Sequence, residues 1–522
     1  MAPPPLPPLS PTSPPLASPP QVPAPTTADH GSGAPSPDPG GHAPPHPMPA
    51  WAADSVWYQI FPLGYFDCAH ANDHQGPTRS ASEGLARLGD DDTLDHLVSL
   101  GVGVVLLNPI VESDTHGYDT ADFFEVDRRL GTTEDFRAAV KKIHARGIRI
   151  VLDGVFNHVG RNHFAFRDVR DKGQSSKYCG WFHLDFSDGA SSPFGDSFGY
   201  DAWEGHADLP RLNLDHPDVV RHCHDVARFW LSDVGVDGWR LDVAHEISPA
   251  FWRGFRAACL EAKPDMVLVG ELIHGDYTAY VAEGVLCSGT NYQLSWPLWH
   301  SLVDRNYYEL VHSLERSQNL YGGLKLLEFL GNHDTPRLAS RLGDLAGRGG
   351  HELALGGLLL GTEGMPCLYY GDEYGMEGWG TKDGGEERDR DLRRPPPTDP
   401  TDEQRRRSDA CAALLALRRR APVFSRGAVT VASNSNEQMV LARSAGEDGT
   451  AIIAFNCAEE AQDGLPDYCS PIPGWLDGSY RGELAYAGGT RLDPVPRATV
   501  AGGKLKVEGG IPALSVIAFI KE

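Results

Sequence analysis

The 522-residue sequence lacks the features that would assign it to several large classes of protein. No apolar run approaches the ~20 residues that a membrane-spanning helix needs. There is no excess of positive charge, since the formal net charge is −25, which repels nucleic-acid phosphates and anionic lipids. The N-terminus has no basic start followed by an apolar stretch, as a secretory signal would have. We therefore expect no nucleic-acid partner, no membrane partner and a cytoplasmic location.

The nine cysteines include no Cys-x-x-Cys pair that would suggest zinc or redox chemistry. They are odd in number and widely scattered. Several of them, such as Cys367, lie in apolar runs and are interpreted as small buried hydrophobic residues. A reducing compartment fits this usage best.

Large apolar residues are almost absent from residues 1–50, which contain nineteen of the 41 prolines. Such a segment cannot bury enough apolar surface to offset the entropy lost on ordering, so we predict a disordered tail. A passive extension is favoured over a recognition tail for a proline-binding partner.

Short apolar runs alternate with helical patterns over residues 51–420. Eight strands that alternate with helices predict a (β/α)8 TIM barrel of the α/β class. The predicted strands are 55–62, 102–108, 148–156, 236–243, 266–271, 285–291, 324–331 and 365–370. The predicted helices are 92–100, 133–146, 217–233, 249–262, one within 298–317, 351–362 and 403–419.

Two long segments interrupt this alternation. Residues 159–215, after the third strand, are rich in aromatic residues and predict a lid-like insertion at the C-terminal face of the barrel. Residues 371–401, after the eighth strand, are rich in Gly, acids and Arg. From about residue 423 short alternating runs predict an antiparallel β domain, which we assign to residues 421–522.

Three carboxylates, Asp242, Glu271 and Asp334, each end an apolar strand-like run. Because the C-terminal ends of barrel strands share one face, these acids are expected to converge on one pocket. Acetal hydrolysis needs paired carboxyl groups, one kept protonated and one kept ionised. The pattern therefore predicts an enzyme that breaks sugar–sugar bonds.

Six short segments in order resemble motifs of the α-amylase family, glycoside hydrolase family thirteen. Leu209–Asn213 resembles a marker of the neopullulanase and cyclomaltodextrinase branch. The similarity covers about residues 55–420. The segments are Asp153–His158, Gly238–Glu246, Gly270-Glu271, Gly331–Asp334, Leu209–Asn213 and Trp57–Pro62.

The resemblance implies three catalytic residues and a retaining mechanism. Asp242 would be the nucleophile that forms a covalent glycosyl-enzyme, and Glu271 would be the acid/base that protonates the leaving oxygen and then activates water. Asp334 would bind the sugar hydroxyls and favour the distorted ring. Asp153 is expected to organise the end of the third strand rather than to touch substrate.

Five further residues are predicted to bind substrate or support these acids. Tyr118 resembles the family's stacking platform, and His158 and His333 would donate to hydroxyls of the cleaved sugar. Arg240 lies two residues before Asp242 on the same strand, so it faces the same side and would keep Asp242 ionised. Arg337 would do the same for Asp334.

The expected activity is retaining cleavage of α-1,4-glucosidic bonds in maltooligosaccharides or cyclomaltodextrins. Many α-amylases carry Lys-His where this chain has His245-Glu246, and the Glu favours short or cyclic maltodextrins. Thr115 stands where exo-acting α-glucosidases of the family tend to carry Asp, which disfavours strict exo action. A transglycosylase or a sucrose/trehalose-type isomerase of the same family remains the alternative, because the acceptor is chosen by loops such as 371–401.

Two other classes are weaker alternatives. A non-catalytic barrel has no need of all three acids, and a metal-dependent hydrolase using His158, Asp153 and His333 lacks the usual ligand spacing. No cofactor is required by the resemblance. Calcium stays open, because Asn157 matches a residue that ligates calcium in some members of the family.

Overall fold

The computed structural model describes residues 48–380, 390–465 and 469–522. Of the tail predicted for residues 1–50, residues 1–47 lie outside this part of the chain. Within the described residues, no helix combines the length and the apolar character needed to cross a membrane.

Eight parallel strands form a closed barrel, which confirms the predicted fold class. Neighbouring strands pair in the order β6-β5-β4-β3-β2-β1-β8-β7, and a parallel bridge between Thr290 and Leu327 joins the two ends. The strands are β1 Val56–Ile60, β2 Val102–Leu107, β3 Arg149–Gly154, β4 Gly238–Leu241, β5 Val267–Gly270, β6 Ser288–Gly289, β7 Leu327–Phe329 and β8 Met365–Tyr369.

Eight longer helices surround the barrel: α1 Asp91–Leu100, α2 Thr133–Ala145, α3 Pro217–Arg228, α4 Pro249–Ala262, α5 Tyr292–Val303, α6 Tyr307–Tyr321, α7 Gly350–Gly361 and α8 Asp402–Arg420. A π-helical turn, Phe229–Val234, continues α3. Shorter helices are Ala50–Ala53, Pro62–Tyr65, Phe164–Lys172, Leu338–Leu342 and Val423–Arg426. The single helix predicted within 298–317 is two helices, and Pro297 lies inside the first of them.

Successive side chains of a barrel strand face two different apolar environments. In β2, Val104 and Leu106 pack in the barrel interior, whereas Val105 and Leu107 pack against the surrounding helices. Parallel strands buried on both faces need such continuous apolar runs. The barrel is therefore a filled core, and its chemistry is confined to the strand ends.

The predicted insertion, residues 159–215, contains the helix Phe164–Lys172 and a small hairpin of Leu184–Asp185 with Gly199–Tyr200. An antiparallel bridge between His158 and Arg211 attaches it to the end of β3. The insertion therefore begins and ends beside the C-terminal face of the barrel.

The C-terminal region is an antiparallel sheet, as the fold prediction stated. One side of it has its own apolar core, and Leu441, Phe455 and Val516 on the other side join the cluster that includes α7. Its strands are β9 Ala428–Asn434, β10 Gln438–Ser444, β11 Thr450–Asn456, β12 Gly478–Ala487, β13 Thr490–Arg491, β14 Ala498–Ala501, β15 Lys504–Val507 and β16 Ser515–Lys521.

Candidate active site

Asp242 and Glu271 are brought together by the register of adjacent strands. The N–H of Asp242 donates to the carbonyl of Gly154 at 3.0 Å, and the N–H of Glu271 donates to that of Leu241 at 2.8 Å. Each acid therefore stands one residue beyond the end of its strand, on the face where the strands terminate.

A cavity of about 410 Å³ lies over these strand ends. Five of the predicted site residues line it: Tyr118, His158, Asp242, Glu271 and Asp334. Its wall also includes Trp203 from the insertion, Ile273 after β5 and Arg393 after β8. The three predicted acids, which are 92 residues apart in the chain at their extremes, thus share one pocket.

Arg240 lies beneath the cavity and bridges the two acids. Its Nη1 donates to Asp242 Oδ1 at 2.9 Å and to Asp153 Oδ1 at 2.8 Å, and its Nη2 is 2.6 Å from Glu271 Oε1. The Arg240 side chain is only 4% exposed and does not line the cavity. The contacts place Arg240 as a support for the acids rather than as a group that touches substrate.

Three carboxyl groups, those of Asp153, Asp242 and Glu271, contact the one guanidinium of Arg240. Burial raises the pKa of Asp242 well above its ordinary value, and the neighbouring Glu271 carboxyl raises it further, while Arg240 opposes both effects. Burial likewise raises the pKa of Asp153 against the opposing effect of Arg240. Asp242 and Asp153, which are buried beside the same guanidinium, therefore each retain a proton more readily than an isolated carboxylate would.

Glu271 is oriented by two further donors. The N–H of Val243 donates to Glu271 Oε2 at 3.0 Å, and the hydroxyl of Tyr292 donates to Oε1 at 3.2 Å. Val243 has φ of 39°, in the left-handed region that β-branched residues rarely adopt. This strained residue directly follows Asp242, so the turn that ends β4 also directs a donor at Glu271.

Asp334 is held ionised by two neighbours. His333 Nε2 lies 3.0 Å from Asp334 Oδ2, and Arg393 Nη2 donates to Oδ1 at 3.0 Å. Burial acts to raise the pKa of Asp334, but His333 and then Arg393 outweigh it and hold the pKa well below the usual range. The Asp334 side chain stays 46% exposed, so this carboxylate remains accessible from the cavity.

The prediction that Arg337 pairs with Asp334 is wrong. Arg337 Nη1 contacts Asp372 Oδ1 at 3.1 Å and donates to the carbonyl of Tyr370 at 2.7 Å. Its side chain is fully buried and does not line the cavity. The turn after Asp334 directs Arg337 toward the end of β8, and Arg393, which is 59 residues from Asp334, takes the predicted role.

The two histidines occupy different surroundings. His158 is buried, and burial lowers its pKa to about 3, so its imidazole is neutral. Its Nε2 has no hydrogen-bond partner among the described residues. His333 is stacked on Tyr118, with ring centroids 5.5 Å apart, and the Tyr118 hydroxyl also donates to Asp153 at 2.9 Å.

Asn157, the residue that matches a calcium ligand of some family members, contacts a guanidinium. Its Oδ1 accepts from Arg211 Nη2 at 3.4 Å. Across residues 48–380, 390–465 and 469–522, no group of three or more His, Cys, Asp or Glu side chains is arranged to hold a metal ion.

Arg393 and Tyr292 are the contributors that the sequence did not single out. Arg393 lies in the segment 371–401, whose richness in Arg is visible in the sequence, but nothing in the spacing distinguishes it from its neighbour Arg394. Tyr292 begins α5 directly after the short strand β6, and its bond to Glu271 depends on how that helix leaves the barrel.

Comparison with protein families places a model described as alpha amylase, catalytic domain, on residues 88–409. Among curated proteins, a cyclomaltodextrinase of Geobacillus thermopakistaniensis is 33% identical over 440 residues, which are 80% of this chain and 71% of that protein. An intracellular maltogenic amylase of Bacillus subtilis is 33% identical over 347 residues, 63% of this chain and 57% of that protein.

Among solved structures, the chain is similar to a cyclic α-maltosyl-(1→6)-maltose hydrolase from Arthrobacter globiformis, determined in complex with cyclic α-maltosyl-(1→6)-maltose. The TM-score is 0.70 at 28% sequence identity, and the match covers 91% of this chain and 100% of that one.

Proposed function

Since the chain belongs to the α-amylase family and is a glycoside hydrolase, in the neopullulanase and cyclomaltodextrinase branch that its motifs predicted, we propose that it cleaves α-1,4-glucosidic bonds in short or cyclic α-glucans with retention of configuration. The observation that carries this proposal is the bridge that Arg240 forms between Asp242 and Glu271 at the base of the cavity. Carboxyl groups held on one guanidinium lie close together, and a close pair favours the retaining mechanism, for which the separation is ~5–5.5 Å.

In the proposed mechanism Asp242 attacks the anomeric carbon while Glu271 protonates the leaving oxygen. Arg240 Nη1, 2.9 Å from Asp242 Oδ1, opposes the effect of burial on the pKa of Asp242 and so favours its ionised form. Water, activated by the now ionised Glu271, then attacks the glycosyl ester from the opposite side. Two inversions give net retention.

Three residues would hold the sugar during these steps, and a fourth would support them. Asp334 accepts from the sugar hydroxyls and is kept ionised by Arg393. His158 has a buried Nε2 that finds no hydrogen-bond partner in the part of the chain that the structure describes, which suits it to a hydroxyl group, and Tyr118 offers an aromatic ring to the apolar face of a pyranose. His333 supports both Tyr118 and Asp334.

The cleft has room for substrates longer than the sugar that is cleaved. A cavity of about 320 Å³ shares His116 and Arg393 with the catalytic cavity, and another of about 670 Å³ shares Ile273 with it. This adjoining space supports an oligosaccharide or a cyclic glucan as the substrate. The names of the similar proteins, which include cyclic-glucan hydrolases, point to the same substrates.

The similar protein named an intracellular maltogenic amylase supports the further proposal of a cytoplasmic location. Fractionation of the native host, followed by an activity assay with the cytosolic and extracellular fractions, tests it. Activity confined to the extracellular fraction contradicts this proposal without affecting the proposed reaction.

The experiment that tests the reaction compares wild-type enzyme with Glu271→Gln on α-glucans and on glycosyl fluorides. Fluoride leaves without protonation, so Glu271→Gln should glycosylate Asp242 from the fluoride but fail on glucans, where general acid help contributes ~10²–10⁴-fold. Azide, which needs no base, should restore turnover and yield an α-glycosyl azide. A β-azide, or equal losses on both substrates without rescue, contradicts the proposed roles.

Product analysis separates hydrolysis from the alternative. Chromatography at low and high concentrations of maltotriose and β-cyclodextrin should show shorter linear sugars as the main products. A mixture dominated by longer or isomerised sugars at every concentration would assign the chain to the transglycosylases or isomerases instead.

A further inference from the structure

Trp203, contributed by the insertion, is in contact with one of the proposed sugar-binding residues. Its ring stacks with that of His158, with centroids 5.4 Å apart and planes inclined by 26°, and it also stacks with His206 at 5.8 Å. Trp203 and His158 both line the catalytic cavity. The insertion therefore reaches the site through an aromatic ring that lies against His158.

The indole is itself held by the barrel. Trp203 Nε1 donates to Glu246 Oε1 at 3.0 Å, and Glu246 Oε2 lies 3.8 Å from Arg211 Nη2. Glu246 follows β4 by a few residues, on the same turn that carries Asp242. The bond thus joins the insertion to the strand end that supplies the proposed nucleophile.

His158 has few polar contacts that would fix its ring. Its Nε2 has no hydrogen-bond partner in the described part of the chain, its Nδ1 lies 3.4 Å from Asn157 Nδ2, and the backbone of Tyr118 provides one further polar contact. A histidine that is to meet a sugar hydroxyl with Nε2 must nevertheless keep one ring orientation. The stacked Trp203 ring lies against one face of the imidazole and so favours one orientation of it.

We propose that Trp203 is a positioning residue for the reaction: held by Glu246, it fixes the orientation of the His158 ring in the wall of the catalytic cavity. The inference rests on the proposed function, because it gives His158 the task of donating to a hydroxyl of the cleaved sugar. It assigns the insertion a part in the chemistry, acting through His158 rather than by direct contact with substrate.

A double-mutant cycle tests this coupling. The variants are Trp203→Ala, His158→Ala and the double variant, assayed for kcat and KM on β-cyclodextrin and maltotriose. If Trp203 acts through His158, Trp203→Ala should lower kcat ~10-fold in the wild-type background and less than ~2-fold in His158→Ala, since residues that act as a unit are not additive. Trp475→Ala, which changes an exposed tryptophan of the C-terminal sheet region, is the matched control and should leave both constants unchanged.

Two conservative variants guard against a loss caused by misfolding. Trp203→Phe keeps a stacking ring without the N–H, and Glu246→Gln keeps an acceptor for the indole N–H. Both should retain most of the wild-type kcat, and Glu246→Met, which has no acceptor, should resemble Trp203→Ala. Melting temperatures of all variants should lie near that of the wild type.

Three results would overturn the inference. Equal losses from Trp203→Ala in both backgrounds would make Trp203 independent of His158. A rise in KM without a change in kcat would indicate that Trp203 contacts the sugar directly. A fall in melting temperature that matches the fall in kcat across all variants would make it structural. Failure of the proposed function is separate, because wild-type enzyme would then turn over neither sugar.

Discussion

At the residue scale, two arginines that the sequence cannot distinguish have different tasks. Arg393 contacts the accessible carboxylate of Asp334, whereas Arg337 is fully buried against Asp372. Burial raises the pKa of Asp372 to about 6 even with Arg337 beside it. Loss of Arg393 removes a cation from beside Asp334, and loss of Arg337 removes one from beside Asp372. Only Asp334 faces the cavity.

We expect Arg393→Met to move the acid limb of the kcat/KM profile to higher pH. Asp334 has a lowered pKa in the folded enzyme, and removal of Arg393 raises this pKa, so protonation of Asp334 begins at higher pH than in the wild type. pH-rate profiles from pH 3 to 8 measure the shift. Arg337→Met should lower the melting temperature without moving the acid limb, and a shift in Arg337→Met but not in Arg393→Met would restore the original assignment.

His163 provides a test of acid stability at the same scale. It is buried among aromatic rings, both of its ring nitrogens have no hydrogen-bond partner in the described residues, and burial lowers its pKa to about 3. The unfolded chain takes up a proton near pH 6.5 that the folded chain refuses until about pH 3. Stability is therefore complete above pH ~6.5 and is lost as the pH falls, by up to ~1.4 kcal/mol per pH unit.

His163→Phe removes this proton uptake while keeping an aromatic ring. We expect the melting temperature of the variant, relative to wild type, to be higher at pH 5 than at pH 8. Thermal unfolding followed by circular dichroism at both pH values measures the difference. A difference that does not change with pH would show that His163 is not a neutral buried group.

At the element scale, strand positions and the three acids followed from the sequence because they depend on local apolar runs and on a shared strand-end geometry. Asp242, Glu271 and Asp334 do line one cavity. The helices Tyr292–Val303 and Tyr307–Tyr321 were predicted as one helix within 298–317. The first turns were not predicted because Pro297 lies inside the first helix, and proline in a helix interior is locally unfavourable. The contacts of Arg393 and Trp203 depend on where long loops return, which no local pattern encodes.

The longest described helix, α8, has a capping box that contributes to its stability. The Thr401 side chain accepts from the N–H of Gln404, and the Gln404 side chain accepts from the N–H of Thr401. Thr401→Ala should cost ~1 kcal/mol of unfolding free energy and lower the melting temperature, with Thr401→Ser close to the wild type. Equal melting temperatures for the Ala and Ser variants would contradict the role of this cap.

At the scale of the whole molecule, a buried arginine joins the C-terminal sheet to the barrel. Arg443, on β10, donates to the carbonyls of Leu360, Thr362 and Gly427 at 2.7–2.8 Å. Burial lowers the pKa of Arg443 to about 9, a cost that the three carbonyl bonds offset. The end of α7 is thereby fixed to the first strands of the C-terminal sheet.

Arg443→Met should destabilise the protein strongly, because three buried carbonyls lose their donor at ~1–3 kcal/mol for each unsatisfied group. Differential scanning calorimetry should show a lower melting temperature. Arg481→Met, on the same sheet but with a side chain that is 64% exposed, is the control and should have little effect. A similar shift for both variants would mean that the buried position of Arg443 does not matter.

The covalent role of Asp242 is the claim on which the rest of this account depends. Glu271→Gln treated with α-glucosyl fluoride should gain the mass of one glucosyl residue, and proteolysis with peptide mass spectrometry should place it on Asp242. Asp242→Asn, whose amide cannot form the glycosyl ester, should gain no mass under the same treatment. A glucosyl group on any other residue, or label that persists in Asp242→Asn, would contradict the proposed mechanism.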